Sequence, residues 1–305
     1  MAASNLVHSN EYGLPLNAIE WLETHHNSKA QERGQMIRDL HLRSGSLVVD
    51  AGCGPGLWTP LLAKAIGGTG RIIGVDISTE ALVTAQHRSQ DKPYRRQVQY
   101  KCAPMEQLPL PRGSADVIFS ANVSQYLPDP SATFADMGQY LKCGGQLIIK
   151  DIDFGTMRFH NIDSALQARV FQARERWERE RVSVGLPFED SWVGSKLAGY
   201  LRAAGYEDVQ EKSYRIVRTY PLPADFRVYL QGIAEWFVCE GAPLLVGEDI
   251  INWLQCFLDD TQNFLDKATF MSEETEFVVS GTWNKRTPAN ILYMDMRAQI
   301  PELVM

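Results

Sequence analysis

Two acidic residues and three glycines at alternate positions are the part of this 305-residue chain with types and spacing suited to chemistry. The short β-branched run Leu47-Val48-Val49 leads into Asp50, and the loop that follows carries Gly52, Gly54 and Gly56 before a helix begins near Trp58. Alternating glycines turn the backbone tightly and let a ligand lie against it without meeting a Cβ. The next helix aims its free N–H groups and its positive dipole end at whatever is bound. A second run, Arg71-Ile72-Ile73-Gly74-Val75, ends in Asp76. A carboxylate at the tip of the second strand is placed to accept both hydroxyls of a ribose. The pattern predicts a nucleoside pocket at the carboxyl edge of a parallel sheet.

The spacing narrows the nucleoside. Dinucleotide loops read G-x-G-x-x-G, whereas Gly52, Gly54 and Gly56 are spaced G-x-G-x-G. The Gly-Lys-Ser/Thr ending of a phosphate-cradling loop is absent from this stretch. Asp50 at the head of the loop would repel a pyrophosphate and favour a cation. S-adenosylmethionine, with its ammonium and sulfonium groups, meets both conditions.

Four segments in order carry a resemblance. Val49-Asp50-Ala51-Gly52-Cys53-Gly54-Pro55-Gly56 resembles the first motif of class I S-adenosylmethionine-dependent methyltransferases, and Gly74-Val75-Asp76-Ile77-Ser78 their second-strand motif. Asp116-Val117-Ile118-Phe119-Ser120-Ala121-Asn122 is similar to the fourth strand and its active-site loop, and residues 141–149 to the turn into the fifth strand. The flavour is that of the group containing ubiquinone- and menaquinone-pathway methyltransferases, over roughly residues 40–155. The resemblance implies an α/β, Rossmann-like seven-stranded sheet of order 3-2-1-4-5-7-6, with the seventh strand antiparallel. It also implies cofactor contacts from Asp50, Gly52, Cys53, Gly54, Gly56, Asp76, Ile77, Met105, Glu106, Ser120 and Asn122. One departure stands out: Pro104 occupies the place of the aspartate that takes the adenine amino group in this family. The Met105 N–H remains as a donor to the adenine ring, and Glu106 is a weak substitute for the missing carboxylate.

Around these motifs, hydrophobic periodicity predicts a helical stretch over 15–42, strand–helix alternation to 151, and helices over 162–182 and 194–204. A strand over 207–220 is stopped by Pro221 and Pro223; helices over 224–239 and 247–268 precede a last strand at 276–283. The expected division is a helical cap at 1–43, a cofactor-binding core at 44–220 plus 275–285, an inserted helical lid at 221–274, and a tail at 286–305. The N-terminal and C-terminal helical additions are expected to roof the pocket, with packing on the far side or a dimer contact as the plainer alternative.

Composition limits the function classes. Hydrophobic residues make up 45% of the chain, enough for a sizeable core, and the net charge of −7 argues against a broad nucleic-acid surface. Five scattered cysteines without a C-x-x-C pair fit a reducing compartment and supply neither a zinc knuckle nor an iron–sulfur triplet. The first residues lack the features of a secretory signal, and no apolar run reaches the ~20 residues that span a bilayer. The expectation is a cytoplasmic enzyme, monomer or homodimer, without membrane insertion, nucleic acid or metal; Asp151 and Asp153 lack a third ligand.

Methyl transfer is an in-line displacement, so positioning comes before side-chain catalysis and supplies on the order of 7–11 kcal/mol. A general base adds about 10²–10⁴-fold. Candidates are His25 and His26 on the N-terminal helix, Tyr126 after the fourth strand and His160 after the fifth. Aromatic residues in the C-terminal additions, among them Tyr229, Trp236, Phe237, Trp253 and Phe257, favour an apolar or aromatic small-molecule acceptor, although helical spacing makes core packing the fate of most. O-, N- and C-methylation stay open. A macromolecular acceptor such as tRNA or protein, and a non-catalytic S-adenosylmethionine-binding module, stand as alternatives.

Overall fold

The computed structural model describes residues 16–259 and 263–285; the first fifteen residues of the expected cap and the expected tail lie outside them. Continuous hydrophobic runs form strands buried on both faces of a parallel sheet. Leu47–Ala51 (β1) pairs in parallel with Arg71–Asp76 (β2) and with Ala115–Ala121 (β4). Val98–Cys102 (β3) extends the sheet beyond β2, and Leu141–His160 (β5) beyond β4. Met271–Trp283 (β7) lies antiparallel between β5 and Glu207–Thr219 (β6), which completes the order β3-β2-β1-β4-β5-β7-β6. Ala51 sits opposite Val75, so the glycine loop and Asp76 leave the sheet side by side.

Helices pack in three groups. Ile19–Ser28 (α1) and Ala30–Asp39 (α2) precede the sheet; Thr59–Ile66 (α3), Thr79–Ser89 (α4) and Pro130–Gly138 (α5) connect its strands. Ser164–Glu180 (α6) and Leu197–Ala203 (α7) follow β5, and Ala224–Gly241 (α8) and Gly247–Leu258 (α9) lie between β6 and β7. Met36, Trp58 and Leu62 of the α2–α3 side pack with Val48, Phe119 and Ile148 on one sheet face. Phe134, Leu197 and Leu201 cover Val49, Ile118 and Leu147 on the other. The third core unites Trp21 of α1, Val170 of α6, Tyr229 and Trp236 of α8 and Trp253 of α9 against Ile152, Phe154 and Phe159 of β5.

Three element boundaries differ from the sequence expectation. The stretch 15–42 is two helices, broken at Lys29 (φ −125°, ψ 25°), whose side chain is fully buried. The helix expected over 247–268 ends at Leu258; a separate turn over Phe264–Asp266 starts at Asn263, whose side chain accepts the Leu265 N–H at 2.9 Å. β5 runs on to His160 and β7 begins at Met271, because β5, β7 and β6 stay paired past the ends of the parallel strands, with a register shift in β5 between Asp153 and Arg158. Ser272, Glu274 and Glu276 point inward at alternate positions of β7. Charged residues at inward positions conceal the strand from a hydrophobic count.

Candidate active site

The glycine loop folds back on the second strand: the Gly52 and Cys53 N–H groups donate to the Val75 carbonyl at 2.7 and 3.0 Å. Gly52 has φ 73°, and a Cβ there would stand 2.4 Å from Val123 Cγ2. Gly56 also has φ 73°, with the Tyr100 hydroxyl 2.9 Å from where its Cβ would be. No larger residue keeps this loop in place. The Asp76 carboxylate accepts the Gly54 N–H at 2.7 Å and the Ser78 N–H at 2.9 Å, one on each oxygen. Asp50 lies under the loop, 1% exposed, and its Oδ2 has no hydrogen-bond partner. Burial, and then Asp76, push its pKa up to about 7. A buried carboxyl of this kind is suited to a cation bound above it.

A cavity of about 420 Å³ opens at the ends of β1, β2 and β4 beneath α1. Its wall brings together Gly52, Cys53, Gly54, Asp76, Ile77, Met105, Glu106, Asn122, His25 and Tyr126, all of them singled out in the sequence. Asp50, Gly56, Ser120, His26 and His160 do not line it. Asp50 precedes the loop and Gly56 ends it, while Ser120 is buried in β4. Glu106 accepts the Thr133 hydroxyl at 3.1 Å, so its carboxylate is turned towards α5. His160 closes β5 opposite Met271, with Nε2 3.2 Å from Glu273. The extra length of β5 carries it away from the cavity.

His26 sits behind the wall, Nδ1 2.8 Å from Arg33 and its ring edge-on to Trp58. Burial, with Arg33 and Lys150 nearby, lowers its pKa to about 2. His25 stacks on Tyr229 at 5.2 Å, and its Nε2 lies 3.2 Å from the Lys29 ammonium. Burial, Lys29 and Arg33 hold His25 well below its usual value. The Tyr126 phenol, hydrogen-bonded with Asn17, is pushed well above its ordinary pKa, chiefly by burial. Asp151 accepts the Ser124 N–H at 3.0 Å, while Asp153 accepts those of Gly155 at 2.9 Å and Ser195 at 3.1 Å.

Sequence reasoning missed an ionic cluster behind the cavity. Lys29 Nζ lies 2.9 Å from Glu274 and 3.1 Å from Glu276; Lys150 Nζ lies 2.9 Å from Glu276 and donates to Asn122 Oδ1 at 2.6 Å. Arg33 Nη2 is 3.9 Å from Glu276, and the Tyr229 hydroxyl donates to Glu274 at 2.6 Å. Burial alone would raise the Glu276 carboxyl, but Lys150 and Lys29 beside it hold it well below the usual carboxylate range. The available signal was the alternation of Ser272, Glu274 and Glu276, with Lys29 and Arg33 one helical turn apart.

Beyond the cavity lies a small chamber of about 20 Å³ that shares Asn17, Leu22, His25, Asn122 and Tyr126 with it. Trp21, Phe154, Tyr229 and Ile233 form its far wall. Helix α1 therefore borders both spaces and α8 reaches the chamber, whereas Trp253 and Phe257 of α9 pack in the third core. Among the described residues no three or more His, Cys, Asp or Glu side chains gather as metal ligands, and no helix is long and apolar enough to cross a membrane.

The strand order β3-β2-β1-β4-β5-β7-β6 is that of the Rossmann-like methyltransferase fold. Residues 49–149 match the model of the methyltransferase domain family. A 37.1 kDa protein of transposon Tn4556 from Streptomyces fradiae is 34% identical over 122 residues, which are 40% of this chain and 34% of that protein. The demethylmenaquinone methyltransferase of Staphylococcus saprophyticus is 29% identical over 116 residues, 38% of this chain and 48% of that enzyme. The chain thus spans about a third to about half the length of these curated relatives. The YcgJ protein of Bacillus subtilis shares the fold with a TM-score of 0.54 at 16% identity, over 86% of this chain and 100% of that one.

Proposed function

We propose that this chain transfers a methyl group from S-adenosylmethionine to a small acceptor with an apolar or aromatic body. The observation that carries this reading is that Asn17, Leu22, His25, Asn122 and Tyr126 line both the cavity beside the glycine loop and the small aromatic-walled chamber next to it. Asp76 would hold the ribose, Ile77 and Met105 would flank the base, and Asp50 would balance the cofactor's positive charge from below. When bound, the cofactor supplies an electrophilic methyl group. The relative from Staphylococcus saprophyticus is named for a small-molecule acceptor, which supports the same class.

The side chains at the junction favour orientation over proton transfer. His25 stays uncharged near neutrality, with Nε2 against the Lys29 ammonium, and Tyr126 keeps its proton. His26 is too weak a base and is occupied by Arg33. The work of the chain is to hold the acceptor in line and exclude water, a contribution on the order of 7–11 kcal/mol.

Calorimetric titration with S-adenosylmethionine, S-adenosylhomocysteine, NAD and ATP tests the cofactor. The first two are expected to bind, and Asp76→Ala is expected to weaken them by about 1.5–3 kcal/mol as bonds to a charged group are lost. Tight NAD binding without S-adenosyl binding overturns the reading. Methyl release measured with apolar aromatic molecules and with bulk tRNA then tests the acceptor class; turnover on tRNA alone would refute it.

A further inference from the structure

The small chamber beside the cavity is walled by rings and aliphatic side chains, and the polar side chains among them are nearly all paired. Tyr126 is hydrogen-bonded with Asn17, and Lys150 donates to Asn122 Oδ1. His25 Nε2 lies against the Lys29 ammonium, and the Tyr229 hydroxyl is shared by Lys29 and Glu274. Gln125 is the exception. It lines the chamber, is only 5% exposed, and its Oε1 is buried without a hydrogen-bond partner among the described residues.

Backbone contacts hold this residue in place without help from its side chain. The short turn Ser124–Tyr126 is pinned by the Ser124 N–H on Asp151 Oδ2 at 3.0 Å, and the Gln125 carbonyl accepts the Asp190 N–H at 2.7 Å. A buried amide oxygen without a donor is costly unless a ligand supplies one. An apolar side chain of similar length would line the chamber with Ile152, Phe154 and Ile233 at no such cost. Size selects the ligand group: a space of about 20 Å³ takes a group as small as a water or a hydroxyl and has no room for a ring. A hydroxyl both donates and accepts, so it pairs with the Gln125 amide whichever end faces it.

We propose that Gln125 sets acceptor specificity: its amide receives a hydroxyl of the acceptor in the chamber, while the apolar body lies on the cavity side of the residues the two spaces share. The inference deepens the methyltransferase reading and rests on it for the pair of molecules bound. It narrows the acceptor from apolar or aromatic molecules at large to those that carry a hydroxyl at one end, a phenol or an alcohol.

The test uses the full chain loaded with S-adenosylhomocysteine, as wild type and as Gln125→Met, with phenol and toluene as probes in saturation-transfer NMR titrations. The two probes differ by a hydroxyl against a methyl group of similar size. Gln125→Met is expected to lower the ratio of phenol to toluene affinity by about fivefold, the loss of one neutral hydrogen bond, with S-adenosylhomocysteine affinity unchanged. An unchanged ratio, or no phenol binding to the loaded wild type, overturns the proposal and leaves the methyltransferase reading standing. In ligand-free urea denaturation the variant is expected to have its midpoint at or above that of the wild type, because it removes a buried amide that lacks a partner. A lower midpoint with an unchanged ratio marks the amide as a structural tie and likewise overturns the proposal. Should Gln125→Met not fold, Gln125→Ala removes the same amide without filling the chamber, and the same ratio decides. If the wild type binds no S-adenosyl compound, the methyltransferase reading has failed, and the specificity role built on it falls as well.

Discussion

Two ionic clusters are buried among the described residues, and they are built on different charge counts. Behind the cavity, Lys29, Arg33 and Lys150 face Glu274 and Glu276. On the far side of the third core, Arg174 and Arg181 face Glu178 and Glu189, with Arg174 Nη2 2.6 Å from Glu189 and its guanidinium 4.1 Å from the Trp236 ring centre. The second cluster is matched two against two and tied into backbone: Glu178 accepts the Ser191 N–H at 3.0 Å, and the Ser191 carbonyl accepts from Phe154 N at 3.0 Å. It clamps α6 and the segment around Ser191 to β5. The first has a cation to spare and turns it towards a cavity. Burial alone does not separate the two; charge balance and a place on a cavity wall do.

Removing a carboxylate from either cluster should destabilise the protein most of all. Glu276→Gln strips the counter-charge from Lys29 and Lys150, and Glu189→Gln does the same to Arg174 and Arg181. A loss of about 3–5 kcal/mol is expected for each in urea denaturation. The contrast should appear in ligand binding: Glu276→Gln weakens S-adenosylhomocysteine, while Glu189→Gln leaves its affinity intact. Equal effects on affinity would erase the distinction between the two clusters.

Asp50 extends the contrast to pH. Its folded pKa of about 7 lies above its ordinary value, so its stabilising share is fully present below about 4 and is lost as pH rises to about 7. Ligand-free wild type should therefore fall in stability relative to Asp50→Asn across that interval, on the order of a few kcal/mol, and run parallel to it above. S-adenosylmethionine, which brings positive charge over Asp50, should close the gap. Parallel curves from pH 4 to 7 would refute the assignment.

Smaller changes separate the clusters further. Tyr229→Phe removes a hydroxyl shared by Lys29 and Glu274 and should lower stability by about 1.5–3 kcal/mol, measured by chemical denaturation. Arg176→Ala on α6 breaks only an exposed pair with Glu180 and should alter stability by about 0.5 kcal/mol or less in the same assay. Two arginines two residues apart on one helix, Arg174 and Arg176, would thus differ widely in what their partners contribute.

The sequence by itself, through the family it resembles, determined the strand order and the meeting of the glycine loop with Asp76 at one sheet edge. A glycine loop between Asp50 and Asp76 is local chemistry, because positive-φ glycines and strand-end carboxylates sit within a few residues of the strands that aim them. The candidate bases were placed only in part. His25 and Tyr126 reach the cavity wall, while His160 is carried off by a strand longer than its hydrophobic pattern announced. Arg33, Lys29, Lys150, Glu274 and Glu276 come from separate segments, and Glu273-Glu274-Thr275-Glu276 looks like solvated surface when read along the chain. Tertiary structure decided that Glu274 and Glu276 turn inward and meet cations from α2, from the break before it and from β5. Local sequence encodes backbone conformation, but a buried charge takes its meaning from the partners that distant segments bring within a few ångströms.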